Sequence, residues 1–344
     1  MRAVRYDAFG VAPQLVELPD PICPPGGAVI EVHATGVCRS DWHAWQGHDD
    51  SVRLPHVPGH EFAGVVREVG EGVRSFAPGD RVTAPFILAC GECTECRAGA
   101  PQVCPAQRQP GFDQQGSWAE QVVVTGAEHN LVRLPDEIEM TLAAGLGCRV
   151  GTAHHAVRTQ GAVRPGEQVA VLGCGGLGLA CVMIARAAGA EVVAVDVSAA
   201  ALEAARALGA TPLAAGEDVV ERVREATGGG AHLALDALGS AATARTSILS
   251  LRPRGRHVQV GLLLGDDADP ALPMGRVIGQ ELQILGSHGL AVAEYADLLA
   301  DVAAGRLDLA RTVGRILTLE ELPAALPALS APPTSAGMTV ARIR

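Results

Sequence analysis

A run of four cysteines provides the clearest chemical pattern in the sequence. Cys90, Cys93, Cys96 and Cys104 follow the spacing C-x2-C-x2-C-x7-C. Four thiolates this close together can surround a zinc ion as a tetrahedron, and a structural zinc site fills all four positions. An iron–sulfur cluster uses similar thiolates, but the chain has no second cysteine group of this kind. We therefore predict a structural zinc that holds the shape of a loop with little hydrophobic core.

The segment GVCRSDWH, residues 36–43, places several reactive groups in one short turn. It contains the thiol of Cys38, the hydroxyl of Ser40, the carboxyl of Asp41 and the imidazole of His43. Taken alone, the segment is compatible with a redox thiol, with part of a metal site, or with a buried cysteine beside polar surface residues.

Two distant residues could complete a metal site with Cys38. His60 lies in VPGHEFAG and Cys148 lies in GLGCRVGT. Two thiolates and one imidazole would leave the fourth position of a zinc ion open, as catalytic zinc sites do. Spacing alone does not connect residues this far apart, and a lone histidine is more often a core or surface residue.

The segment VAVLGCGGLG, residues 169–178, has the features of a dinucleotide-binding turn. Gly173, Gly175 and Gly178 form G-x-G-x-x-G between an apolar strand and a helix, so the backbone can approach a pyrophosphate at the helix N-terminus. Asp196, at the end of the next strand, would accept hydrogen bonds from a ribose 2′-hydroxyl and repel a 2′-phosphate. We predict NAD(H) rather than NADP(H); the alternative is a strand–turn–helix that binds no nucleotide.

The composition of the chain changes near residue 150, which indicates two domains of different architecture that position these groups. Residues 1–150 are rich in Gly and Pro with short β-rich runs, which predicts a β-rich, partly barrel-like domain. In residues 151–286, apolar strands alternate with alanine-rich helices, which predicts a parallel, doubly wound sheet. The tail, 287–344, is expected to pack back on the first domain. Strands are predicted at 28–32, 63–69, 120–124, 168–172, 191–196, 231–236, 257–261 and 282–285, and helices at 177–188 and 199–208, the latter between Ser198 as N-cap and Gly209.

Composition excludes several functions. The chain has 344 residues, 48% of them hydrophobic and 19% charged, which suits two globular domains. All 27 basic residues are arginine, so a Schiff-base lysine, a pyridoxal anchor and a Walker-type lysine are excluded. A net charge of −11 without a basic run makes nucleic acid an improbable partner.

The location of the protein is predicted from two further features. The N-terminus, MRAVRYDAFG, has no apolar region typical of a signal peptide, and no apolar run approaches the length that spans a membrane. We expect a cytoplasmic protein without a membrane partner. In that compartment the nine cysteines are expected to be metal ligands or reduced thiols.

Five segments together resemble zinc-dependent alcohol dehydrogenases of the medium-chain dehydrogenase/reductase superfamily. They are GVCRSDWH, PGHEFAG, the four-cysteine loop, GLGCRVGT, and VLGCGGLG with its following Asp196, in the family's order and spacing across nearly the whole chain. The resemblance implies an α/β protein with a GroES-like β-rich catalytic domain and a Rossmann domain that binds NAD. It also implies one catalytic and one structural zinc per chain, and a homo-oligomer, more often a tetramer than a dimer.

The resemblance assigns roles around the catalytic zinc. Cys38, His60 and Cys148 are implied as its ligands, with Glu61 as the acid behind the metal that approaches it in some family members. Asp41 is implied as the carboxylate that orients the zinc-binding histidine.

The proton path and the cofactor site follow from the same resemblance. Ser40 is implied as the proton acceptor and His43 as the outlet to solvent, while Phe86 matches a wall of the substrate pocket. Ala201 stands where many relatives carry a lysine near the adenosine ribose, which bears on cofactor affinity. The implied cofactor-binding residues are Arg39, Thr152, Gly173, Gly175, Gly176, Leu177, Gly178 and Asp196.

The predicted reaction is the reversible oxidation of a small-molecule alcohol to an aldehyde or ketone with NAD(H). The alcohol oxygen would bind zinc as an alkoxide, its proton would leave through Ser40 and His43, and hydride would pass to the nicotinamide ring. A polyol or sugar-alcohol dehydrogenase of the same superfamily is the nearest alternative, although such enzymes often use glutamate in place of one cysteine ligand. A non-catalytic NAD-binding protein, a zinc-free quinone or enoyl reductase, and a zinc-finger module are further alternatives.

Two groups of residues keep open roles. His154 and His155 could face the cleft, but a surface or packing role is the simpler interpretation. Trp42, Trp45 and Trp118 could line the substrate pocket or pack in the core.

Overall fold

The computed structural model describes residues 1–331 and 335–344. Within these ranges the strands are β1 (Arg2–Arg5), β2 (Gln14–Glu17), β3 (Ala28–Val37), β4 (Phe62–Val69), β5 (Arg81–Thr83), β6 (Gln121–Val124), β7 (Val132–Arg133), β8 (Gln168–Leu172), β9 (Glu191–Asp196), β10 (Thr211–Ala214), β11 (Ala231–Asp236), β12 (Leu251–Gln259), β13 (Gln283–Gly286), β14 (Val313–Thr318) and β15 (Met338–Arg342). The α-helices are α1 (Arg39–Trp45), α2 (Thr94–Arg97), α3 (Ala127–Asn130), α4 (Met140–Ala143), α5 (Arg149–His154), α6 (Gly176–Ala187), α7 (Ala199–Ala207), α8 (Val219–Ala226), α9 (Ala241–Leu249), α10 (Met274–Gly279), α11 (Tyr295–Ala303) and α12 (Leu322–Ala328).

The first sheet is built mainly from the N-terminal part of the chain. Its seven strands run in the order β14-β15-β3-β4-β5-β7, with β6 paired to β3. The long strand β3 forms antiparallel ladders with β15, β4 and β6. Strands β14 and β15 come from the end of the chain, so the tail returns to the first sheet; the domain limits at 150 and 286 stay predictions.

The second sheet is the parallel, doubly wound sheet that strand–helix alternation predicts. Its order is β10-β9-β8-β11-β12-β13, and every pairing is parallel. Side chains of the central strand β8 alternate between two apolar clusters: Val169 and Val171 pack in one, and Ala170 and Leu172 in the other. Both faces are therefore covered, which is why β8 is a continuous apolar run.

Two elements of this sheet differ from the sequence prediction. Strand β10 was not expected, because its sequence TPLA is short and contains a proline; such a strand is tolerated at an edge, and β10 pairs only with β9. Strand β12 begins at Leu251 rather than at residue 257. Its first part is irregular, with a register shift against β11 and a positive φ at Arg254, so no alternating pattern marks it.

The predicted ends of helix α7 are confirmed. The Ser198 hydroxyl accepts a hydrogen bond from the Ala201 amide at 3.3 Å, which caps the N-terminus. Gly209, just beyond the helix, has φ of +92°, a conformation that glycine adopts without steric cost.

One apolar cluster connects the two domains. It extends from Ala34 and Ala63 in the first sheet, through Leu146 and Val150, to Val169 in the second sheet. The segment that contains Cys148 therefore lies at the junction of the domains. Across the residues that the structure describes, no helix is both long enough and apolar enough to cross a membrane.

Candidate active site

Three predicted ligands meet at this junction. The ligating atoms of Cys38, His60 and Cys148 lie within 4.8 Å of one another. Cys38 follows β3 and precedes helix α1, His60 lies two residues before β4, and Cys148 precedes α5. Residues far apart in the sequence thus converge because two strand ends and one helix start meet there.

Asp41 holds two of these residues in place. Its carboxylate is fully buried, accepts the Cys38 amide on Oδ2 at 2.9 Å, and contacts His60 Nδ1 through Oδ1 at 2.9 Å. Burial opposes a charge on His60, but Asp41 outweighs it and raises the pKa of His60 well above its usual value. When a metal displaces the proton on Nε2, the carboxylate keeps the other proton on Nδ1, and Nε2 becomes the lone-pair donor.

His60 Nε2 lacks the hydrogen-bond partner that a buried nitrogen normally has. It is buried and has no hydrogen-bond acceptor or donor among the described residues, although buried nitrogens are normally satisfied. A hydrogen bond from Cys148 lowers the pKa of Cys38, and the same contact raises the pKa of Cys148. Two thiols and one unsatisfied imidazole nitrogen fit a zinc ion with an open fourth position.

Glu61, the fourth predicted ligand, is not part of this cluster. Its carboxylate is paired with Arg149, whose Nε lies 2.9 Å from Oε1 and whose backbone amide donates to the same oxygen at 2.9 Å. Arg149 Nη2 donates to Oε2. Gly36 packs over this pair, since a Cβ there would lie 1.9 Å from Glu61 Oε2. Sequence reasoning missed Arg149; an arginine directly after Cys148 was the available signal.

The four cysteines of the loop also converge. Their sulfur atoms are 3.3 Å apart for Cys93 and Cys96, 3.5 Å for Cys104 and Cys90, and 3.7 Å for Cys93 and Cys104. Zinc bonds of about 2.3 Å in a tetrahedron would separate the sulfurs by about 3.8 Å. The backbone amides of Glu92 and Cys93 lower the pKa of Cys90 to about 7. The loop therefore fits a structural zinc.

The predicted proton path has an additional member. Ser40 Oγ lies 3.8 Å from Cys38 Sγ, at the start of helix α1. At the other end of α1, His43 Nδ1 lies 3.1 Å from His48 Nδ1. Burial, with the charges of His48 and Arg39, lowers the pKa of His43. His48 is exposed and was missed, although its spacing of five residues from His43 was visible in the sequence.

The glycine turn lies at the carboxyl end of β8. A Cβ on Gly178 would lie 1.8 Å from the Gly173 carbonyl oxygen, whereas one on Gly175 would meet nothing within 4 Å. The turn is therefore tight on the sheet side and open on the other. Asp196 accepts the Cys174 amide at 2.6 Å and the Ser198 amide at 2.8 Å, which places its carboxylate beside the turn.

Two implied cofactor contacts have different environments. The Thr152 hydroxyl is buried and has no partner within the described ranges, so it is available to a ligand. Arg39 is exposed and donates through Nη1 to the Leu329 carbonyl at 2.6 Å. Its placement beside a pyrophosphate therefore stays a prediction.

Aromatic rings lie close to His60, on one side of the metal-type cluster. The ring of Phe86 lies 6.0 Å from that of His60 and 5.3 Å from that of His288. Phe112, which the sequence did not reveal, lies 5.3 Å from His60. Trp118 is fully buried and donates to the Gly36 carbonyl at 2.9 Å, so it packs in the core.

These features define a class of protein before any comparison. A three-ligand metal-type cluster beside a glycine turn, at the carboxyl edge of a parallel sheet, is typical of dehydrogenases that combine a metal with a dinucleotide.

Comparisons with known proteins agree with this class. A family model described as alcohol dehydrogenase GroES-like domain matches residues 24–136, and one described as zinc-binding dehydrogenase matches residues 176–304. An alcohol dehydrogenase from Geobacillus stearothermophilus is 32% identical over 328 residues, 94% of each chain. A sorbitol dehydrogenase from Halalkalibacterium halodurans is 32% identical over 293 residues, 83% of this chain and 82% of its own. An alcohol dehydrogenase structure from Thermus sp. ATN1 matches 100% of both chains, with a TM-score of 0.91 and 34% identity.

The chain belongs to the zinc-type alcohol dehydrogenases of the medium-chain dehydrogenase/reductase superfamily. It is an oxidoreductase of alcohols and carbonyls, and the predicted GroES-like domain with a Rossmann sheet is confirmed.

Proposed function

We propose that the protein interconverts an alcohol and an aldehyde or ketone with NAD(H), using a catalytic zinc on Cys38, His60 and Cys148. The supporting observation is that the unsatisfied Nε2 of His60 converges with two thiols within 4.8 Å. A second, structural zinc would be held by the four-cysteine loop, whose sulfurs already have near-tetrahedral spacing.

A bound zinc would supply a Lewis acid that polarises the alcohol or carbonyl oxygen. The protein's own residues prepare the site for it. Asp41 holds His60 with Nε2 toward the thiols, and Arg149 holds the Glu61 carboxylate away from them. Three protein ligands then leave one position for the substrate oxygen.

Proton release is proposed to use helix α1. Ser40, beside Cys38, accepts the proton of the alcohol, and His43 passes it toward the surface. His48, exposed and within hydrogen-bond distance of His43, gives that histidine a direct partner at the solvent boundary. The lowered pKa of His43 favours its neutral form, which can accept a proton, at neutral pH.

NAD(H) is proposed in preference to NADP(H). Asp196 lies beside the glycine turn with one oxygen on the Cys174 amide and the other on the Ser198 amide. A carboxylate at this position accepts hydrogen bonds from a ribose hydroxyl and repels a phosphate. A cytoplasmic location and a homo-oligomer, tetramer before dimer, complete the proposal.

Metal content and turnover test the proposal together. Purified wild-type protein is expected to hold one catalytic and one structural zinc and to reduce NAD, rather than NADP, with some member of an alcohol panel. Cys38→Ser is expected to lose one zinc and all measurable turnover, because a hydroxyl is a poor zinc ligand compared with a thiolate. Cys23→Ser is the matched control, since Cys23 belongs to neither cluster, and it should keep both zincs.

Each negative result has a defined meaning. A single zinc in active wild-type protein would contradict the catalytic-metal assignment, and a clear preference for NADP would contradict the role of Asp196. The panel includes primary, secondary, aromatic and polyol substrates, because a sorbitol dehydrogenase is among the relatives. Turnover of polyols alone would favour the polyol alternative, and no turnover at all would favour a non-catalytic protein.

A further inference from the structure

Arg149 is a buried charge between the metal-type cluster and the glycine turn. Only 8% of its side chain is exposed. It follows Cys148 directly, and its guanidinium contacts Glu61, the neighbour of His60. Its Nη2 also donates to the Thr339 carbonyl at 3.3 Å. The Nε and Nη2 side of the guanidinium is thus occupied by acceptors of the protein.

The other side of the guanidinium faces helix α6. A Cβ on Gly176, the first residue of α6, would lie 3.0 Å from Arg149 Cδ and 3.2 Å from Arg149 Nη1. Nη1 therefore lies next to the helix start, and it has no hydrogen-bond partner within residues 1–331 and 335–344. Nη1 keeps some exposure to solvent, so a ligand at the helix start can reach its donors.

The start of α6 also lacks a protein acceptor. Its N-cap, Gly175, has no side chain to accept from the first amides, and the space above Gly175 is open for 4 Å. Helix N-termini carry unsatisfied amides and partial positive charge. The free donors of Nη1 and those of the helix are therefore adjacent, and one anion could satisfy both sets.

We propose that Arg149 binds the pyrophosphate of the dinucleotide through Nη1, and that Glu61 is the positioning residue that holds its guanidinium there. This inference rests on the proposed binding of a dinucleotide at the glycine turn. It gives Glu61 a role without metal ligation. It also connects the sites, because Arg149 and Glu61 each adjoin a predicted zinc ligand, Cys148 and His60.

The test measures the binding of ADP-ribose, which carries the pyrophosphate but no nicotinamide, to zinc-loaded protein by calorimetry. The main variant is Glu61→Gln with Arg149→Gln, because removing only one partner would leave an unpaired buried charge. Loss of a charge-assisted hydrogen bond should raise the Kd of ADP-ribose about tenfold or more. Adenosine, which has no phosphate, is titrated by ligand-observed NMR and should bind the variant and the wild type equally.

A matched control removes an ion pair elsewhere. Arg256 and Glu167 are paired at 2.6 Å near the opposite end of the sheet strands, and Glu167→Gln with Arg256→Gln should leave the Kd of ADP-ribose unchanged. Because the main variant has no Glu61 carboxylate for Arg149 to hold away from the thiols, its zinc content should also stay unchanged. If the main variant does not fold, Arg149→Lys provides the comparison, because a lysine keeps the charge but not the planar donor geometry.

The outcomes separate this inference from the proposed function. Wild-type affinity for ADP-ribose in a folded Arg149 variant would overturn the role of Arg149 and leave the proposed function intact. Equal weakening of ADP-ribose and adenosine, or loss of zinc together with affinity, would show a general structural role and would also overturn it. Wild-type protein that binds no ADP-ribose would overturn both proposals.

Discussion

At the scale of single residues, the candidate metal cluster depends on one buried carboxylate. Asp41 accepts from the Cys38 amide, from the Gly59 amide and from His60. It therefore fixes the start of helix α1 and the orientation of the imidazole at the same time. An arrangement fixed by such a group loses little entropy when a metal binds, because its ligands are already in position.

Asp41→Asn should weaken metal binding without removing a ligand. The amide nitrogen of asparagine would replace one of the two oxygens, so it would face either the Cys38 amide or the donors of Gly59 and His60, and the imidazole would lose its charged partner. We expect the zinc affinity of the cluster to fall between about 10-fold and 100-fold, measured by competition with a chromophoric chelator. Asp49→Asn, in the following loop, is the control; equal loss in both variants would contradict the role of Asp41.

Sequence reasoning identified residues that belong to short motifs and missed their partners. The motifs GVCRSDWH and PGHEFAG directed attention to Cys38 and His60, which the structure brings together. Arg149, His48 and His288 were not identified, because each acts through a contact that only the fold creates. Glu61 shows the same limit. It follows the metal-ligand candidate His60 in the sequence, whereas in the structure its carboxylate is paired with Arg149.

At the scale of elements, the glycine turn determines how closely helix α6 approaches the sheet. Gly173 has φ of +89°, and the absence of a side chain on Gly178 allows its Cα to pack on the Gly173 carbonyl. The two glycines therefore have a packing role, whereas Gly175 borders open space. Substitution should separate these roles.

Gly178→Ala and Gly175→Ala form a matched pair of variants. A methyl on Gly178 would lie 1.8 Å from a backbone oxygen, so helix α6 has to shift, and we expect a destabilisation of about 2 kcal/mol or more. A methyl on Gly175 meets no protein atom, so stability should be kept while NADH binding weakens. Urea unfolding and NADH fluorescence titration measure the two quantities. Equal loss of stability in both variants would contradict this division of roles.

Elements that have a local signal in the sequence were predicted, and elements that are defined by pairing with other strands were not. Strand β8 and helices α6 and α7 were predicted because an apolar run, a glycine turn and an N-cap serine are local signals. The edge strand β10 and the irregular first part of β12 were not, because pairing with a neighbour defines them. The tail was expected to pack on the first domain, but strands β14 and β15 were not predicted, because their place in the first sheet depends on contacts across most of the chain.

At the scale of the whole molecule, buried histidines make stability depend on pH. Burial lowers the pKa of His257 to about 4, and burial also lowers the pKa of His56 and His154. His257 lies in the interior strand β12, is 2% exposed and contacts the Ser247 hydroxyl at 2.7 Å. His154 and His155 are both buried, so neither is a surface residue.

In the unfolded chain these histidines take up protons near pH 6.5, whereas in the folded protein they do not. Their contribution to stability is therefore present above pH 6.5 and is lost as the pH falls toward 4. For His257 alone the loss should reach about 3 kcal/mol at pH 4. His257→Asn keeps a polar contact for Ser247 without a group that titrates, so its stability, although lower at pH 7.5, should fall less steeply on acidification. The urea midpoints of wild type and variant, measured between pH 7.5 and pH 5, give this difference, and any acid release of metal affects both proteins alike.

His33→Asn, on the partly exposed part of β3, should follow the wild-type curve. Parallel curves for wild type and His257→Asn would show that His257 does not contribute to the acid sensitivity of the fold.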